Sequence, residues 1–107
     1  MDEFTVSATA SDSAVRATVA GDVDLATAER LREAVTSEVR PGVRVDLDCS
    51  GVSFLDSAGV RVLLELNRTA REAGGGLVLV APSEVVVRIL DLAGVAGLFA
   101  LRPPAVS

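Results

Sequence analysis

The sequence predicts an α/β domain built on a mixed β-sheet of four to five strands with three to four helices. Three observations carry that prediction. Two short alternating segments open the chain with turn residues between them, three stretches with helical spacing of apolar residues follow, and short apolar segments separate the helices. At 107 residues the chain is one domain, 1–107, large enough for its own core. The right-handed crossover rule puts consecutive helices on one side of the sheet wherever the strands they join are neighbours.

Residues 4–10 and 14–20 read as strands. Phe4, Val6 and Ala8 alternate with Thr5, Ser7 and Thr9, and Val15, Ala17 and Val19 alternate with Arg16 and Thr18. Ser11, Asp12 and Ser13 supply turn chemistry, so an antiparallel hairpin is expected. Gly21 to Asp24 break the strand pattern. Asp24 is the expected N-cap of a helix reaching about residue 39, with Ala28, Leu31, Val35 and Val39 inward. Arg40-Pro41-Gly42 ends that helix.

A short strand over 43–47 follows, with Asp48, Cys49, Ser50 and Gly51 at its exit. The strand-like 52–55 segment leads through Asp56 into a helix from about 57 to 73. At 100° per residue, Gly59, Val62, Leu63, Leu66, Ala70 and Ala73 share its core side, while Ser57, Arg61, Leu64 and Arg68 fall opposite. Gly74-Gly75-Gly76 release the chain into the apolar run 77–81, which suits a strand covered on both faces. Pro82-Ser83 introduce a third helix with Val86, Ile89, Leu90 and Ala93 inward, stopped by Gly94. Residues 95–101 fit either a short helix or a final edge strand, and Pro103-Pro104 mark a loose end.

Composition removes several function classes. A net charge of −5 and only three aromatic residues, all Phe, argue against nucleic acid. No apolar run approaches the roughly 18 to 20 residues that cross a bilayer, and the N-terminus lacks a signal-peptide pattern. Neither nucleic acid nor membrane is therefore an expected partner, and the expected setting is the cytoplasm. The absence of histidine excludes a Ser-His-Asp triad, and with a single cysteine it excludes a Cys/His zinc site. No cofactor or metal is expected.

Four features invite chemistry. The glycine triplet has the wrong order for a phosphate loop, because it follows a helix and precedes a strand in a chain without lysine. Asp22, Asp24, Asp46, Asp48 and Asp56 can gather at one end of the sheet, but short acidic residues also belong at strand exits and helix N-termini. Cys49 has no flanking base or cation and reads as a small buried apolar side chain. Asp56-Ser57 can simply cap the helix, or it can present a serine hydroxyl to another protein. Leu64 and Val60, set among Arg61, Arg68 and Arg71, would then anchor a small interface.

The order Gly21-Asp22-Val23-Asp24-Leu25-Ala26-Thr27-Ala28, Val45-Asp46-Leu47 and Phe54-Leu55-Asp56-Ser57-Ala58-Gly59-Val60 resembles a STAS domain. More narrowly, it is similar to the stand-alone bacterial anti-sigma factor antagonists. Pro82, 86–90 and 92–95 through Leu98-Phe99 continue the likeness along nearly the whole chain. The resemblance implies partner switching. The unphosphorylated antagonist binds an anti-sigma factor that is also a serine kinase and so frees a sigma factor; ATP is bound by that partner.

Phosphorylation of the serine after the motif's Asp, Ser57 here, switches binding off, and a PP2C-type phosphatase reverses it. The implied partner surface comprises Asp22, Asp24 and Thr27 of the first loop together with Asp56, Ser57, Ala58, Gly59, Val60, Arg61 and Leu64. Ala58 stands where some members have a second serine, leaving one acceptor hydroxyl. The alternative is a STAS accessory subunit of a membrane transport system for lipid or anions, with Ser57 as cap or contact; an enzyme using the acidic cluster is disfavoured. A monomer is expected, with a weak dimer left open.

Overall fold

A computed structural model of the chain describes residues 3–104. β1 (Thr5–Ala10) and β2 (Ala14–Val23) form the expected hairpin, in unbroken antiparallel register from Thr5↔Ala20 to Ala10↔Val15. Ser11 closes the turn, its hydroxyl and backbone N–H both donating to Ala14 O. β2 runs on past residue 20. Gly21 and Asp22 do not end it but lie at an irregularity in its pairing with β3. Gly21 takes φ +90°, and a Cβ there would fall 2.3 Å from Glu3 O, so only glycine lets the two strand ends approach this closely.

α1 (Ala28–Thr36) is shorter than expected at both ends, and its N-cap is Thr27 rather than Asp24. Asp24 caps the turn ahead of the helix instead, its Oδ1 accepting from Ala26 N (3.0 Å) and Thr27 N (3.2 Å). Ala28, Leu31 and Val35 are buried as expected, whereas Val39 lies beyond the helix and is half-buried. The expected five-residue strand at 43–47 is in fact β3 (Arg44–Leu55), twelve residues long. Asp48 to Gly51 do not form its exit, because β2 supplies backbone partners as far as Leu55.

α2 (Ser57–Glu72) buries Gly59, Val62, Leu63, Leu66 and Ala70, the face its periodicity marked. Removing a leucine such as Leu63 or Leu66 from water contributes roughly 1.5–3 kcal/mol. The glycine triplet ends this helix, with the N–H groups of Gly75 and Gly76 both donating to Ala70 O. β4 (Leu77–Val80), α3 (Glu84–Leu92), a 3-10 turn (Ala96–Leu98) and β5 (Ala100–Arg102) complete the chain. The last segment is thus both short helix and edge strand in succession. Ala93, expected inward, is the exposed C-cap of α3.

The sheet order is β1-β2-β3-β4-β5, with β2 to β5 all parallel. One core unites the inward residues of β2, β3 and β4 with Leu31, Leu66, Val86, Leu90 and Phe99. Among the described residues no helix covers the other face of the sheet. Val78 and Val80 lie on it only half-buried, so β4 is covered on one face and not on two. On the same face the carboxylate of Asp46, 5% exposed, is gripped by Arg44 (Nε to Oδ1, 2.8 Å; Nη2 to Oδ2, 3.0 Å) and by Arg102 of β5 (Nη2 to Oδ2, 3.3 Å).

Candidate functional site

The site forms where the ends of β2 and β3 deliver the chain into α1 and α2. The turn between β2 and α1 is held from within. Thr27 Oγ1 donates to Asp22 O (2.7 Å) and accepts from Asp24 N (3.0 Å), while Asp22 Oδ1 accepts from Ser53 Oγ across the sheet (3.0 Å). Asp24 and Thr27, implied as contact residues, therefore spend polar atoms on shaping this loop. The loop is joined to the start of α2 through one carbonyl: Val23 O accepts from Asp56 N (3.2 Å).

Asp56 is the N-cap of α2, its Oδ1 accepting from Gly59 N (3.0 Å). That separates the two roles which the sequence left open at Asp56-Ser57. Asp56 makes the side-chain cap, and Ser57, the first helical residue, is exposed beside it. Gly59 is buried, and a Cβ on it would lie 2.5 Å from Leu55 Cδ1 and 2.7 Å from Val23 O. Its missing side chain is what lets α2 seat against β2.

Ala58 and Val60 are half-buried and Arg61 is exposed. Leu64 is not the centre of a free polar face. It is half-buried and packs against the core cluster, and Asn67, nearly one turn on, donates to Leu98 O (3.0 Å) where the 3-10 turn passes over the helix. A helical projection of α2 alone cannot show a segment that returns thirty residues later.

Two open grooves flank the start of α2. One, of about 390 Å³, is lined by Leu55, Ser57, Val60, Ile89 and Leu92. The other, about 300 Å³, lies between α1 and α2 with Leu25, Ala58, Arg61 and Glu65 on its walls. Leu25 is 82% exposed and Leu92 76% exposed, and Phe54 stands half out of the end of β3. Sequence reasoning missed these three apolar residues. Leu25 had a signal, an apolar residue inside a capping turn where nothing in the local chain can bury it.

The five aspartates do not converge. Asp22, Asp24 and Asp56 hold the backbone and Ser53 at the site, Asp48 Oδ1 accepts from Ser50 N (2.9 Å), and Asp46 is taken by arginines on the open sheet face. Burial alone would raise the Asp46 carboxyl, but the Arg44 and Arg102 guanidiniums outweigh it and hold the group below its ordinary value. Burial, with the neighbouring Asp48 carboxylate, pushes the Cys49 thiol up to about 12, so it stays protonated and unreactive. No helix among the described residues is long and apolar enough to cross a membrane.

A family model described as "Mlab, STAS domain" matches residues 6–103. The anti-sigma-B factor antagonist of Listeria monocytogenes is 28% identical over 85 residues, 78% of this chain and 75% of the relative. The crystal structure of an anti-sigma factor antagonist from Mycobacterium paratuberculosis superposes with a TM-score of 0.81 at 27% identity, covering 94% of this chain and 86% of that one. SpoIIAA of Bacillus, at 20% identity, shares the fold in both its forms. The unphosphorylated structure gives a TM-score of 0.73 (98% and 90% covered), and the phosphorylated one 0.70 (98% and 93%).

Proposed function

The chain belongs to the STAS-domain family of anti-sigma factor antagonists, and on that premise we propose that it is a cytoplasmic, non-enzymatic switch whose acceptor is Ser57. Unphosphorylated, it binds an anti-sigma factor that is also a serine kinase and so releases a sigma factor. The Ser57 oxygen then attacks the γ-phosphorus of ATP held by that partner. The new O–P bond replaces the bond to the β,γ-bridging oxygen, ADP leaves, and the hydroxyl proton passes to a base on the kinase. A PP2C-type phosphatase hydrolyses the phosphoserine back to serine and phosphate.

The observation that carries the reading is the division of labour at the start of α2. Asp56 caps the helix and leaves the neighbouring hydroxyl exposed, between two grooves each bearing an exposed leucine. The fold should tolerate the phosphoryl group, since about −1.5 to −2 charges at a helix N-terminus are favoured by roughly 0.3–2 kcal/mol. A docked partner should not. An unmatched charge in an interface costs on the order of 2–5 kcal/mol, which weakens affinity about 30- to 3,000-fold. The interface term wins, so modification ends docking without refolding the domain.

Intact-mass analysis after incubation with the kinase and ATP tests this. One added phosphoryl group, absent in Ser57→Ala, is expected. Modification at another residue, or co-purification with a transporter ATPase and no kinase, would overturn the assignment.

A further inference from the structure

We propose that β1 is a self-recognition edge through which two copies of this chain pair antiparallel, extending the five-stranded sheet into a ten-stranded one. The two edges of the sheet are treated differently. β5 is only three residues long, carries Arg102 and runs into Pro103-Pro104, three devices that keep an edge from pairing. β1 has none of them. Its six residues, Thr5–Ala10, contain no charge, no proline and no glycine, and they pair with β2 without a bulge. Among the described residues no strand lies against its outer side.

The residue pattern also selects the occupant. Opposed residues in an antiparallel pair share a face, so self-pairing must be centred on a single residue. Centred on Ser7, it sets Thr5 against Thr9 of the second copy and Ser7 against Ser7, every hydroxyl pair on the open face. On the helix face, Phe4 meets Ala10 and Val6 meets Ala8, every pair apolar. Phe4, Val6 and Ala8 are only half-buried by their own chain and packed at the margin of the core, so this pairing covers what remains of them. Thr–Thr and apolar cross-strand pairs are both favourable. Because the two copies run in opposite directions, their Ser57 sites lie at opposite ends of the joined sheet, and both stay open to partners. The surface excludes Ser57, so the proposal stands or falls apart from the phosphoacceptor reading.

Engineered cysteines in the 107-residue chain test it, Cys49 being buried and protonated. With oxidised glutathione as electron acceptor, Ser7→Cys is expected to form a disulfide-linked dimer, since residues facing across the centre lie about 4.5–5.5 Å apart at Cα. Thr5→Cys is not, because its counterpart lies about 14 Å away along the strand. In sedimentation, native protein is expected to self-associate as its concentration rises. Ser7→Lys, which sets two like charges face to face at an exposed position, should weaken that association about tenfold or more. A native chain that stays monomeric at about 1 mM, or equal cross-linking by Thr5→Cys, would overturn the proposal.

Discussion

Gly59 shows how much of the site depends on a single absent side chain. The first turn of α2 can lie on the Val23 carbonyl only because nothing projects there, with Leu55 Cδ1 already 2.5 Å from where a Cβ would be. Gly59→Ala would gain up to about 1 kcal/mol in helix propensity but lose about 1–3 kcal/mol to overpacking against backbone that cannot yield. Because the obstructing atoms include a backbone carbonyl, the loss should win. Urea denaturation should show a lower midpoint with an unchanged slope. The neighbouring cap gives an independent check. Asp56→Ala removes the acceptor for Gly59 N and should cost about 1 kcal/mol, whereas Asp56→Asn keeps an acceptor and should stay within about 0.5 kcal/mol of the native chain. Asp56 and Gly59 were legible because capping and helical spacing are local. The burial of Leu64 was not, since it rests on packing against the core cluster that a projection of α2 alone does not show.

At the scale of elements, the carboxylate of Asp46 fastens the last strand to the middle of the sheet. Arg102 of β5 reaches past β4 to bond it, and Arg44 grips it from the same strand. The folded carboxyl lies below its ordinary value of 3.8. A group depressed in the folded state stabilises above its unfolded pKa and loses that contribution as pH falls through the folded one. Asp46→Asn should therefore cost roughly 1–2 kcal/mol at pH 7, the half-exposed arginines being partly screened by solvent. The gap between variant and native stability should begin to narrow as the pH drops below 3.8 and be lost as it falls through the lower folded value. Stability curves recorded from pH 7 downward check this: a gap that does not narrow below pH 3.8 would remove the Asp46 charge as its source. The same element explains a misread boundary. Asp48 and Ser50 look like a strand exit in sequence, yet a parallel neighbour carries β3 to Leu55. Element order and type were written in local periodicity, whereas element length was set by pairing between distant segments.

At the scale of the molecule, the three helices of the described residues share one core with one face of the sheet, and Ser57, the proposed acceptor, stands exposed at its end. The exposed leucines at positions 25 and 92 come from loops and helix ends sixty-seven residues apart in sequence, so no local pattern could assemble the surface around Ser57. On the proposed reading, that placement separates folding from docking and leads to one further prediction. Ser57→Asp adds a carboxylate where the α2 dipole favours negative charge, by about 0.3–1 kcal/mol, while no core residue changes its neighbours. Thermal denaturation should place its Tm at or a few degrees above the native value. Amide chemical shifts should change only in the turn at 22–27, the segment 54–61 and the facing end of α3. Affinity for the anti-sigma partner should nonetheless fall by at least tenfold, the smaller charge of an aspartate giving less than the full effect of a phosphoryl group. Shifts spread through β4 and β5 would point to refolding as the mechanism. Unchanged affinity with a perturbed helix start would place the docking surface elsewhere on the domain.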